Sequence, residues 1–477
     1  MIFNFKQGLS IERAALIVSI VYASILFSTA AAQHYLFGTQ VWDIGLFEQF
    51  SWLIGEGKIT EISSLRQIAP LEDHFSLLLL PLGGIYKVFP STFTLIGLQS
   101  IALGSLPAVV TYLAVQRQIK DLLIWALICA VVLCPYIFLV NKGDFHPDVL
   151  TIPFMIVAIS EATQGRRWRY YLCLLFTLFA KNAQALFGLG LGLYAIARGR
   201  YGRGLITIVI STFWWLLATH LSSAGGDHVA IRLGYLGETK LEMLSTLLAR
   251  PWIVFSVTSP SDIFLYSLGL SFPFLALLRK PALACLLGAA PVYLVNIISD
   301  SGIQRELNHH YSIPIVAFLI AGCLSSMPLI SIKTHQIQKN IFNVTLIFSL
   351  AAFLGYSRLA YFKSRYLPRL PEALAFQSVV SGIGSQESVL TTANYAVHLA
   401  GREEISQIEK DYYKKNWPFE VIVLPSESAL INVRGRLREV RQTKIGQEMR
   451  EIVEAANKSG MSCDQPNSYI RLCRTNE

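Results

Sequence analysis

Five short polar clusters interrupt an otherwise apolar chain: Val41-Trp-Asp-Ile-Gly-Leu-Phe-Glu-Gln, Glu72-Asp-His-Phe-Ser, Asp144-Phe-His-Pro-Asp, Lys181-Asn and Arg305-Glu-Leu-Asn-His-His-Tyr. Asp43, flanked by aromatic residues that exclude water, is a carboxylate able to take a proton from a hydroxyl or to hold a divalent cation. The same residue type also suits a helix N-cap ahead of Ile-Gly-Leu-Phe-Glu, and both readings stay open. Glu48 falls on the polar side of that short segment, and it and His74, which follows Glu72 and Asp73 in the second cluster, are candidate substrate-binding residues. Asp144, His146 and Asp148 form a D-x-H-x-D pattern that could ligate a metal or pair a base with its orienting group, with Pro147 stiffening the loop. No established zinc signature accompanies it, and a solvated loop between two helices would also be polar. Asp43, Asp144 and His146 are the candidate cation ligands, which leaves a divalent cation as a compatible cofactor and the metal unidentified.

Lys181, followed by Asn182, breaks an apolar stretch. An ammonium at membrane depth is costly to desolvate, so it reads as a ligand for a lipid phosphate or pyrophosphate, with snorkelling to the headgroups as the plainer account. Arg305 matches bidentate phosphate binding, and His309 or His310 could donate to the same anion. Asp227, His228 and Arg232 are read as solvated residues of a long outer loop.

The elements that must position these groups follow from composition. Of 477 residues, 53% are hydrophobic and only 15% charged, far more apolar surface than a soluble domain carries, so the chain is read as an integral membrane protein. A net charge of +9 could point to nucleic acid. The basic residues, however, sit in short clusters between apolar runs, as cytoplasmic retention of Lys and Arg requires, and no nucleic-acid partner is expected. Neither a P-loop nor a Rossmann glycine pattern is present, and the first 28 residues show no convincing signal-peptide cleavage site.

Taking about 20 apolar residues per crossing, runs at 14–32, 93–115, 122–140, 149–163, 170–180, 183–197, 205–221, 263–278, 282–299, 312–330 and 341–356 give about 11 transmembrane helices. Lys/Arg clusters then fall on every alternate connection, with the N-terminus cytoplasmic, the C-terminus outside, and all five polar clusters on the outer side. The two segments around Lys181 are short for full crossings. Residues 75–89 contain Pro81, Gly83 and Gly84 and are read as an interfacial helix of the first outer loop, as are residues 44–53.

The fold class is therefore an α-helical polytopic membrane bundle over residues 1–366, with interfacial helices, and a small soluble α/β domain over residues 367–477 outside the membrane. Strand-like pieces at 388–392 and 420–424 alternate there with a helical pattern at 446–458. Cys463 and Cys473 lie in a compartment that permits a disulfide, although spacing alone does not establish the pairing. The other five cysteines read as small packing residues inside apolar runs.

An acid in the first outer loop, interfacial helices, about eleven spans and an outer C-terminal domain resemble the GT-C superfamily of lipid-linked-sugar glycosyltransferases. More closely, Asp43-Ile-Gly-Leu-Phe-Glu-Gln, His74-Phe-Ser, Pro81-Leu, Asp144-Phe-His-Pro and Asn394-Tyr-Ala-Val-His-Leu-Ala-Gly-Arg402 are similar to the predicted-membrane-protein family called domain of unknown function 2079. That resemblance implies inverting transfer of a sugar from a polyprenyl phosphate to an acceptor on the outer face of a bacterial plasma membrane. Membrane lipids and a polyprenyl-phosphate-linked sugar are the implied partners, and the acceptor is not specified.

The first-loop acid that serves GT-C enzymes as base or cation ligand matches Asp43. Lys181 and Arg305 are assigned to the leaving phosphate by charge and sidedness, and His74, Asp144 and His146 to orienting donor or cation. Many members of the family have an acid after the membrane lysine where this chain has Asn182. Two rivals remain: a transporter or flippase for a lipid or small anion, which would spread polar residues through the bilayer depth and show internal symmetry, and a non-catalytic outer-face assembly protein.

Overall fold

Long apolar runs with no backbone partner other than themselves must become helices in a bilayer, and helices dominate the chain. The computed structural model describes residues 10–222, 232–410, 414, 417–426 and 436–475, so Asp227 and His228 lie outside the described residues. In chain order the helices begin with α1 (Ile11–Tyr35), α2 (Leu46–Gly55), α3 (Leu79–Val88), α4 (Thr92–Gly104), α5 (Leu106–Val115), α6 (Asp121–Val132) and α7 (Pro135–Gly143). They continue with α8 (Ile152–Gln164), α9 (Arg167–Leu178), α10 (Ala185–Ala197), α11 (Tyr201–Leu221), α12 (Lys240–Ala249), α13 (Pro260–Ser271), α14 (Leu283–Ile298), α15 (Ile313–Ser331) and α16 (His335–Tyr356). Beyond Arg358 come α17 (Leu359–Arg365), α18 (Leu370–Val380), α19 (Ala393–Ala396) and α20 (Arg436–Lys458).

Among the described residues, eight helical segments are long and apolar enough to cross a membrane: Ile11–Tyr35, Thr92–Val115, Asp121–Gly143, Tyr201–Leu221, Pro260–Leu277, Lys280–Ile298, His310–Ser331 and His335–Tyr356. The other three expected crossings are α8, α9 and α10, of 13, 12 and 13 residues, shorter than the ~20 that a full crossing takes. The expected interfacial segments are the ten-residue helices α2 and α3. Pro135 explains why one crossing is built from two helices. It has no amide hydrogen to continue α6, which stops at Val132, and it occupies the first turn of α7 where none is needed.

Contacts divide the chain into two compact units. The first comprises Met1–Thr29, Glu72–Leu78 and Gly97–Arg358. Its centre is set by burial: 83% of the most apolar stretch of His310–Ser331 is covered, against 22% for His335–Tyr356. Outward-facing Leu16, Ile20, Val209, Ile347 and Leu354 are exposed, a lining that suits lipid rather than water. Close helix packing uses small residues: a Cβ on Gly190 would stand 1.9 Å from the Gly288 carbonyl oxygen, so α10 and α14 meet backbone to backbone. At the C-terminal end of α8, Arg203 Nη1 donates to the carbonyls of Glu161 and Ala162, both at 2.6 Å, and Arg200 donates to that of Thr163. These cations satisfy carbonyls that a helix end leaves open.

The second unit comprises Ala30–Leu71, Leu79–Ile96 and Leu359–Glu477. Its sheet contains β1 (Val389–Thr391), β2 (Ile405–Gln407), β3 (Val421–Pro425), β4 (Met461–Asp464) and β5 (Ile470–Thr475) in the order β2-β1-β3-β5-β4. β1 pairs in parallel with β2 and β3, while β5 runs antiparallel to β3 and β4. Met449, Ile452 and Ala456 of α20 cover Leu390, Ile422 and Leu424. Cys463 and Cys473 stand opposite each other in the β4–β5 register and are disulfide-bonded. The remaining cysteines are free: four are buried, and Cys129 is partly so.

Candidate functional site

Three connections of the first unit meet through their side chains: the turn after α7, the turn between α9 and α10, and the start of α15. His146 precedes a tight 3-10 turn, Pro147–Thr151, that leads into α8. Lys181, extended, precedes a second such turn, Asn182–Gln184, before α10. His310 begins a third, His310–Ser312, at the head of α15.

Lys181 Nζ lies 3.1 Å from His310 Nε2. His310 Nε2 is in turn 3.9 Å from Asp148 Oδ2, which accepts a hydrogen bond from Gln184 Nε2 at 3.3 Å. The His146 ring lies over that of His310, centroids 3.8 Å apart. His146, Asp148, Gln184 and His310 are all buried and Lys181 is half-buried. Burial pushes the His146 pKa well down, with the charges of Lys181 and His309 acting in the same direction. It pushes the Asp148 carboxyl up, opposed by the Lys181 charge.

Neighbouring groups hold these turns in place. Gln99 is a double clamp: its Nε2 donates to the Asp144 carbonyl at 2.9 Å, and its Oε1 accepts the His146 N–H at 3.0 Å. Tyr136 joins α7 to the third turn, donating to the His309 carbonyl and accepting the Ser312 N–H, both at 3.1 Å. Residues 72–78 dock beside Lys181, with the His74 carbonyl accepting the Asn182 N–H at 3.1 Å and the Phe179 carbonyl accepting the Leu78 N–H. His74 Nε2 lies 3.4 Å from Asp73 Oδ2.

Several expectations need redrawing. Among the described residues, the three-residue group with metal-ligand spacing is His146, Asp148 and His310, so its acid is the one at the far end of the D-x-H-x-D pattern and not Asp144. Asp144 instead contributes its carbonyl to Gln99 and takes a backbone φ of 141°. Arg305 is placed elsewhere: its Nη1 donates to the carbonyls of Asn296 and Ser299, at 2.9 and 2.6 Å. It lines a cavity of about 520 Å³ with Asp262, Tyr266, Glu306 and Arg358, to which Lys181, His146 and His310 contribute nothing. The His309 side chain turns to Glu306, Nε2 to Oε2 3.6 Å. Arg232 is not simply solvated, because it bonds the Tyr311 hydroxyl at 3.1 Å and lies over that ring.

In the second unit Asp43 sits within a π-helical turn, Val41–Gly45, and its carbonyl accepts the Leu46 N–H. The residue ahead of α2 is Gly45, with no side-chain cap, so the N-cap reading of Asp43 does not hold. Glu48 is buried, and both its oxygens are engaged, by Tyr86 Oη at 2.8 Å and Thr92 Oγ1 at 2.6 Å. Burial outweighs those bonds and carries its pKa up to about 7. Gln49 reaches the loop after α19, donating to the Arg402 carbonyl at 3.2 Å, and Arg402 in turn donates to the carbonyls of Leu399, Gly384 and Glu387. The Trp-Asp-Ile-Gly-Leu-Phe-Glu-Gln and Asn-Tyr-Ala-Val-His-Leu-Ala-Gly-Arg segments are thus neighbours in space.

Sequence reasoning missed Gln99, Tyr136 and Gln184. Gln184 carried a faint signal, as a second amide within three residues of Lys181 in an apolar stretch. Gln99 and Tyr136 carried none.

Residues 33–455 match the family described as predicted membrane protein (DUF2079). No curated protein matches the sequence. The fold is similar to that of ArnT from Cupriavidus metallidurans in its crystal structure bound to undecaprenyl phosphate, with a TM-score of 0.56, 10% identity, and coverage of 96% of this chain and 98% of that one. The apo state of the same protein gives a TM-score of 0.53 at 10% identity, covering 96% of this chain and 97% of that one.

Proposed function

The chain belongs to the DUF2079 family of membrane proteins, and from that premise we propose that it is a GT-C-like glycosyltransferase moving a sugar from a polyprenyl-phosphate carrier to an acceptor on the extracytoplasmic face. The observation that carries this reading is the half-buried Lys181 ammonium held by the His310 imidazole at the meeting of three connections of a membrane helix bundle. Such a cation suits a lipid phosphate. What supports the choice of carrier is the fold shared with a protein crystallised on undecaprenyl phosphate.

In the reaction, Asp43 takes the proton of the acceptor hydroxyl, whose oxygen attacks the anomeric carbon. The bond from that carbon to the phosphate oxygen breaks with its electron pair, and polyprenyl phosphate departs. Lys181, positioned by His310 and the His74 loop, stabilises the charge that grows on the departing phosphate. Arg305, assigned to the same phosphate by charge and sidedness, has Nη1 engaged by two carbonyls and would meet the anion through its other guanidinium nitrogens.

The test is release of polyprenyl phosphate from a panel of lipid-linked sugars by purified wild type, Asp43→Asn and Lys181→Met. Loss of a general base costs roughly 10²–10⁴-fold in rate, and Asp43→Asn is expected in that range with its fold intact. Equal turnover by wild type and Asp43→Asn removes the base assignment. Absence of release with every donor, combined with lipid movement across reconstituted vesicles, favours the flippase.

A further inference from the structure

We infer that His146, Asp148 and His310 form a binding site for a single divalent transition-metal ion, with the side-chain oxygen of Gln184 beside it. One ligand atom from each of the three residues lies within 4.8 Å of the other two, and all three side chains are buried. A second observation concerns unmet hydrogen-bonding capacity. Asp148 Oδ1, Gln184 Oε1 and His310 Nδ1 have no hydrogen-bond partner among the described residues. Two of these are oxygen acceptors, on residues only 2% and 4% exposed. Buried oxygens left without a donor are costly, and a cation satisfies such atoms directly.

The chemistry of the donors narrows the ion. Two imidazoles and one carboxylate suit zinc and its first-row neighbours, whereas calcium and magnesium prefer all-oxygen shells. Zinc bonds of about 2.0–2.2 Å require donors about 3–3.5 Å apart, so the side chains close by roughly an ångström around the ion. Three protein ligands leave a fourth position open, the arrangement of zinc sites that take a water or substrate oxygen. Lys181 supplies the distinguishing feature. Its ammonium touches His310 Nε2, the nitrogen that faces Asp148, and therefore competes with an incoming cation. Metal binding displaces it from the imidazole and leaves it beside the open position, where it can meet an anionic oxygen.

The binding experiment needs neither sugar donor nor acceptor, so its outcome is independent of the glycosyl-transfer reading. The full chain, purified in detergent and stripped with a chelator, is titrated with zinc against a chromophoric chelator, and bound metal is counted by mass spectrometry. Expected are about one zinc per chain, loss of at least tenfold in affinity in His146→Ala and in His310→Ala, and binding by Lys181→Met at least as tight as wild type. Cobalt loaded in place of zinc is expected to give weak visible d–d bands without thiolate charge transfer, which separates the site from the free cysteines. Size-exclusion profiles and thermal midpoints identify any variant that has lost its fold. In that case Asp148→Asn, nearly isosteric, replaces it. Zinc retained in folded His146→Ala, or lost in folded Lys181→Met as an anion-held ion would be, overturns the assignment.

Discussion

Single residues here are defined by how completely their polar atoms are answered. Glu48, a candidate substrate-binding residue by its place on the polar side of a short helix, has both of its oxygens taken by Tyr86 and Thr92 and ties α2 to α3 and α4 inside the second unit. Its carboxyl titrates near 7 rather than at the ordinary 4.5. An acid whose folded pKa exceeds its unfolded one holds its proton more firmly when folded. Its contribution to stability is therefore complete below pH 4.5 and is lost as pH rises through 7. Glu48→Gln keeps an acceptor for Tyr86 and a donor for Thr92 but does not titrate. Thermal midpoints of the detergent-solubilised protein between pH 4.5 and 7.5 are expected to fall more steeply for wild type than for Glu48→Gln, and parallel curves would remove Glu48 as the cause. Asp43 differs in kind: it does not cap α2, so an activity loss in Asp43→Asn cannot be ascribed to an uncapped helix.

At the scale of elements, the candidate site depends on connections brought close by small residues and clamps. Gly143 ends α7 where a Cβ would stand 1.9 Å from the Asn308 carbonyl oxygen. That approach sets the α7–α8 turn against the segment leading to His310. Asp144 follows at a φ of 141°, a conformation costing a non-glycine residue about 1–3 kcal/mol and retained here because Gln99 clamps both sides of the turn. Gly143→Ala must push the two backbones apart, and a loss of roughly 1–3 kcal/mol is expected. The control is Gly84→Ala in α3, where nothing lies within 4 Å of the added carbon and a gain of about 0.5–1 kcal/mol is expected from helix propensity. Paired thermal unfolding of the two variants reads the difference, and equal midpoints would show that the Gly143 approach is not a constraint.

For the whole molecule, the determining fact is that hydrophobic surface faces outward on the peripheral helices while the central one is covered. This is the arrangement of an integral membrane protein, in which helices bury small and polar groups inward and offer Leu, Ile and Val to lipid. Its orientation is testable because the native cysteines are bonded or largely buried in apolar helices. A membrane-impermeant maleimide is expected to label Ser385→Cys, exposed ahead of β1, on intact cells. Lys333→Cys, exposed between α15 and α16, is expected to react only after permeabilisation. The reverse pattern would invert the topology and place the proposed chemistry on the cytoplasmic face.

The linear chain declares its class because a bilayer imposes length and apolarity on each crossing, and both can be counted residue by residue. It also declares where polar groups interrupt that pattern: Asp43, His74, His146, Lys181, Arg305 and His310 are all visible as exceptions. Visibility does not distinguish among them, since any ionisable residue in an apolar run looks equally costly. Their fate depends on partners far away in sequence. Lys181 finds His310 at a separation of 129 residues, and Gln49 finds Arg402 at 353. Arg305, alike in charge to Lys181, is instead taken up by carbonyls six and nine residues before it. Only the packed chain could decide that Asp148 rather than Asp144 stands with the two histidines, because the turn after α7 aims one carboxylate into the cluster and the Gln99 clamp fixes the backbone of the other.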